Sequence, residues 1–179
     1  MKANVSTKTK TWSIIGVSLA SVLIIFAFCG RYFNSFMKNV ANFFVGSFGM
    51  AFYGIMAAVI VFCSFALAGK RVRIPGKYLA HFIMLFVAVV LFVHTLTTTF
   101  LPHDSFSKYV GYVYNYYDAV PTFGGVVFGS IAYALQSVLH LAGALIVYAA
   151  LLAETVFMVG DFFYAYATGR LSLTRETKR

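Results

Sequence analysis

The sequence predicts an all-α integral membrane protein, with four transmembrane helices and amphipathic or re-entrant helices before spans two and four. Three observations predict it: a composition too apolar for a water-filled setting, apolar runs of bilayer length, and basic residues gathered between those runs. Of 179 residues, 61% are hydrophobic and only 11% are charged. A water-soluble domain of this size has too little interior to hide that much apolar surface, so lipid must be the missing solvent. Four spans of about 20 residues with short connectors account for nearly the whole chain.

The first run, residues 12–29, carries no charge and follows Lys2, Lys8 and Lys10. It ends in FAFCG, which matches neither a signal-peptidase pattern nor a lipobox, and so reads as a span. The second run covers residues 43–68 and is closed by Lys70, Arg71, Arg73 and Lys77 around Pro75 and Gly76. The third covers 78–101 and stops at Pro102. The last apolar stretch, 124–163, would measure about 60 Å as one helix, twice the hydrocarbon thickness. It therefore divides into a lead-in element, 124 to about 139, and one span to about 163. Residues 1–11 form a basic start and 164–179 a basic tail.

With four spans, eleven of the 14 Lys and Arg residues share one side: Lys2, Lys8, Lys10, Lys70, Arg71, Arg73, Lys77, Arg170, Arg175, Lys178 and Arg179. Arg31, Lys38 and Lys108 lie opposite. The positive-inside rule then predicts that both ends lie in the cytoplasm. The net charge of +9 is explained by topology and contact with anionic lipid, so no direct DNA contact is expected of these residues. Cys29 and Cys63 fall at opposite ends of neighbouring spans, a poor geometry for a disulfide.

Each half of the chain repeats one plan. Before the second span, Arg31, Asn34, Ser35, Lys38 and Asn42 recur at helical spacing, with Tyr32, Phe33, Phe36, Met37, Val40 and Phe44 filling much of the other side. Before the fourth, Ser130, Tyr133, Gln136, Ser137 and His140 form the polar stripe, and Val126, Val127, Ile131, Ala134 and Val138 the apolar one. The second and fourth spans open alike, in FGMAFY and AGALIVY, which puts Gly49 and Gly143 in equivalent places. The lead-in helices either lie flat at the outer leaflet or dip into it packed on protein.

The stretch GGVVFGSIAYALQSVLHLAGALIVYAALLAETVFMVGDFF, with the glycine-led second span and its basic KRVRIPGKY turn, resembles the amino-terminal membrane domain of the FtsK/SpoIIIE DNA translocases. The resemblance covers about residues 31–163. It implies a domain at the division or sporulation septum that anchors and oligomerises a hexameric motor for chromosome partition and touches other cell-division proteins. No G-x-x-x-x-G-K-[ST] loop occurs in these 179 residues, and Gly69-Lys70 and Gly76-Lys77 are followed by Arg71 and Tyr78. ATP hydrolysis is therefore not expected of this chain, nor is a metal or other cofactor.

Glu154 is the carboxylate set well inside a span, where an acid is costly and needs a partner. An antiparallel register that pairs it with His81 on the third span also brings His94 toward His140. The expected role is a buried polar pair that fixes helix packing. Two rivals use the same residues: an ion or proton path through Glu154 and the histidines, and a redox anchor with haem held between His94 and His140. Gly125 and Gly129 make a G-x-x-x-G helix-packing face. Tyr112, Tyr114, Tyr116 and Tyr117 give the outer loop either an aromatic belt or a protein-contact surface.

Overall fold

The computed structural model describes residues 7–29, 32, 35–68, 74–99, 101, 105–115 and 122–169. The chain is all-helical there: α1 Thr7–Cys29, α2 Ser35–Phe48, α3 Ala51–Leu67, α4 Gly76–Thr97, α5 Phe106–Asn115 and α6 Gly125–Ala167. Helices α1, α4 and α6 are long and apolar enough to cross a membrane. The pair α2 and α3, bent by 95° at their junction, adds a fourth if the two count as one span. Of the basic turn, only Lys77 is described; Lys70, Arg71 and Arg73 lie outside the described residues, as do Tyr116, Tyr117 and the tail from Arg170.

The second apolar run is not one helix from residue 43. It breaks at Gly49, whose φ of +61° lies in the left-handed region that other residues enter only at a cost, and the transverse helix α3 starts at Ala51. With 17 residues α3 is about 26 Å long, slightly short of the hydrocarbon thickness.

The matching break in the second half falls at His140, with φ 55° and ψ 174°, which divides α6 into a lead-in arm, 125–139, and a long arm, 141–167. Gly143, expected to be the counterpart of Gly49, is an ordinary helical residue whose added Cβ would meet Leu139 Cβ at 2.9 Å. The repeat of bend positions is therefore real, but the residue types that make the bends differ.

Antiparallel neighbours form two packed pairs. Helix α1 lies along α3, where Gly16 leaves room for the Cys63 sulfur, and both cysteines are free. Ala27, Val45 and Phe52 make a small core where α1, α2 and α3 meet. The main core joins α4 to α6 with Ala51 of α3, through Val90, Leu91, Phe128, Ala132, Ala144 and Tyr148. At the far end of α6, Tyr78 donates a 2.9 Å hydrogen bond to Asp161, and Phe162 stacks edge-on against Tyr78 and Phe82.

The lead-in arm turns its two stripes to different surroundings. Phe128, Gly129, Ala132 and Gln136 face the protein, whereas Val127, Ile131 and Val138 of the apolar stripe are exposed. An apolar stripe left open on a helix packed against α4 and α5 fits contact with lipid, with the protein satisfying the polar side. Residues 106–115, read from sequence as a polar loop, form α5, which buries Tyr109 and Val113 completely against Leu101.

Candidate functional site

The chemistry-bearing side chains gather where α4 ends and the two bent halves meet. Gly49 and Gly125, both with positive φ, sit back to back; a Cβ on either would strike the other's backbone nitrogen. This close approach lets Met50 and Ala51, at the open start of α3, donate to the Thr122 and Phe123 carbonyls at 3.2 and 3.0 Å. The bend of the first half is thus joined by backbone hydrogen bonds to the segment that opens α6. Gly125 packs against α2 rather than serving a G-x-x-x-G face, and Gly129 has a separate task, described next.

His94 is wholly buried in the last turns of α4. The Gly124 N–H, which can only donate, points at Nδ1 from 3.1 Å and so fixes the ring proton on Nε2. That nitrogen donates to the Tyr109 hydroxyl at 2.9 Å. The Thr98 hydroxyl donates to the His94 carbonyl at 2.7 Å, so the longer 3.5 Å contact to Tyr109 runs from the phenol to Thr98. Burial pushes the Tyr109 phenol above its usual range, with the Thr98 bond acting in the opposite sense. The closed circuit ties α4, α5 and the start of α6 together. Gly129 makes it possible, because a Cβ there would stand 2.9 Å from His94 Nε2.

Two helical turns further along α6, Gln136 donates from Nε2 to buried Thr95 at 3.3 Å. Beyond it, Thr99, Tyr133, Gln136, Ser137, His140 and Leu141 line a pocket of about 240 Å³ beside the break in α6.

His94 and His140 do not form a pair. The register that sets His81 against Glu154 carries on through Leu91 and Ala144 in the main core, but the non-helical backbone at His140 ends it, and His140 is exposed. Both His94 nitrogens are committed to Gly124 and Tyr109, which leaves no lone pair for a haem iron.

His81 Nε2 and Glu154 Oε1 lie 3.7 Å apart, and His81 Nδ1 approaches the Lys77 carbonyl at 2.6 Å. The pair is not buried as expected: the Glu154 side chain is 57% exposed against 19% for His81. Asp161 has a specific partner in Tyr78, a signal that no local pattern carries. Tyr78→Phe should lower the thermal midpoint in detergent by an amount worth about 1 kcal/mol, with Asp161→Asn close to it. Tyr114 is partly exposed and its ring lies over Gly46, so this member of the predicted contact surface also packs internally.

No protein-family model, curated protein or solved structure matches this chain.

Proposed function

We propose that this chain is the membrane-anchoring and assembly domain of a septal DNA translocase acting in cell division and chromosome partition. In this reading α1, the bent pair, α4 and the long arm of α6 cross the inner membrane four times, with both ends in the cytoplasm. The observation that carries the reading is the twofold plan of span, lead-in helix and span, with the first bend at Gly49 joined to the start of the second lead-in arm at Gly125. It coincides with the glycine-led stretch from Gly124 that carries the FtsK/SpoIIIE resemblance. A rigidly stapled outer side suits an anchor that must hold its spans in register while a motor pulls from within. Homo-oligomers, six chains in the family pattern, and other division proteins are its partners in the bilayer.

The proton-path rival has less support: His94 is locked in a closed circuit, and among the described residues the polar groups along α4 and α6 form separate clusters. The experiment is a fluorescent fusion expressed at native level, combined with reading whether the coding sequence runs on into a P-loop motor. Septal foci that persist in the Glu154→Gln variant are expected. Uniform membrane fluorescence, or reporters placing the tail beyond Arg170 outside the cell, would overturn the reading.

A further inference from the structure

The pocket at the His140 break is separate from the buried circuit and is not used by the anchoring role. Its backbone is strained: φ 55° with ψ 174° is a conformation nearly reserved for glycine, costing about 1–3 kcal/mol in a residue with a side chain. The fold keeps an imidazole there, on an exposed corner where α6 turns from its lead-in arm into its long arm. Four of the six lining side chains have their hydrogen-bonding sense fixed or open to view. Ser137 donates its proton to the Ala134 carbonyl at 2.8 Å and Thr99 donates to Leu96 at 3.3 Å, so each turns only lone pairs outward. Gln136 uses Nε2 on Thr95 and keeps its carbonyl oxygen. The His140 ring, when neutral, adds one acceptor nitrogen beside its N–H. A pocket this rich in acceptors calls for a ligand that donates.

Its place narrows the ligand further. Thr99 follows the last turn of α4, so the pocket lies at the level where that span ends. Val138, Leu139 and Leu141 are exposed around it and supply an apolar rim. A volume of about 240 Å³, open on one side, is below the usual range for a whole small-molecule ligand but takes a headgroup whose chains lie along the rim. We propose that this corner binds the headgroup of a phospholipid that donates hydrogen bonds, either the glycerol hydroxyls of phosphatidylglycerol or the ammonium of phosphatidylethanolamine. Phosphatidylcholine, whose quaternary ammonium has no N–H, is the lipid it rejects.

The test is native mass spectrometry of the full chain released from nanodiscs made with equal parts of these three lipids. The wild type should retain phosphatidylglycerol or phosphatidylethanolamine over phosphatidylcholine by about fivefold, the equilibrium equivalent of one hydrogen bond. Which of the two is retained separates a hydroxyl donor from an ammonium. The Thr99→Val, Ser137→Ala double variant should bring the ratio near one. His140→Gly should do the same while raising the thermal midpoint, because glycine relieves the strained backbone. Equal retention of all three lipids by the wild type overturns the proposal, as does full selectivity surviving in both variants. Thermal midpoints near or above that of wild type show that lost selectivity is not lost folding.

Discussion

Gly49→Ala is expected to destabilise the protein by about 3 kcal/mol or more, the largest effect of any single methyl group added to this chain. Two costs combine. A residue with a Cβ at φ +61° pays about 1–2 kcal/mol for the left-handed backbone, and the methyl would collide with the Thr122 carbonyl and Gly125 nitrogen, adding an overpacking penalty of about 1–3 kcal/mol. The neighbour cannot give way cheaply, because the atoms it meets are backbone. Relaxation would break the Met50 and Ala51 hydrogen bonds that cap α3. Gly125→Ala should behave alike, since its φ is +57° and its Cβ would face the Gly49 nitrogen. The control is Gly160→Ala on α6, where no atom lies within 4 Å of the new methyl; alanine's better helix propensity should raise stability by about 0.5–1 kcal/mol. Thermal unfolding in one detergent, read by fluorescence and circular dichroism, places all three on a common scale. Equal effects at Gly49 and Gly160 would show that the Gly49 bend is not in contact with the start of α6.

His94→Leu should cost about 3 kcal/mol, because it removes one ring and breaks two buried hydrogen bonds. The Gly124 N–H loses its acceptor Nδ1, an unmet donor worth about 1–3 kcal/mol, and the Tyr109 hydroxyl loses the Nε2 proton it accepted, about 1 kcal/mol more, while leucine preserves most of the packing volume. Tyr109→Phe removes only the phenol and should cost less, about 1–2 kcal/mol, since His94 keeps its bond to Gly124. The double variant should be milder than the sum of the two, the signature of groups in one circuit. Strict additivity in that cycle would mean that the ring and the phenol do not act together. Local loosening is measurable as well: amide exchange at Gly124 should quicken in His94→Leu but stay slow in Tyr109→Phe, because only the former loses the acceptor of that N–H.

Much of the architecture was legible along the chain. Apolar runs of bilayer length mark α1 and α4 because a span must satisfy its own backbone and offer lipid only apolar side chains, a requirement written locally in composition. The length of 124–163 forced a division of the last stretch, and the helix does break at its middle, at His140. The His81 and Glu154 approach was also reachable, because two antiparallel helices fix an approximate register once their ends are known. Its exposure was not, since the rotation of a helix about its axis depends on the partners packed against it.

The residues that misled did so for a physical reason in each case. Gly143 matched Gly49 in position, yet a glycine permits a bend without compelling one, and the strain was placed on His140 instead. Residues 106–115 looked like a polar loop because every other tyrosine faces out; the burial of Tyr109 and Val113 appears only when α6 is laid alongside. His94 looked like one half of a histidine pair, but its actual donor and acceptor come from Gly124 and Tyr109, beyond the reach of any local pattern.

By itself, then, the sequence determined the solvent, the helical class and the places where the chain turns, because these follow from local apolarity, helix length and the positions of breakers. Only the tertiary structure decided which polar groups meet: the Gly49 and Gly125 crossing, the His94 circuit and the Tyr78 to Asp161 bond. Such contacts depend on helix rotation and on approaches closer than a methyl group, and those are fixed by packing between segments that lie 11 to 83 residues apart.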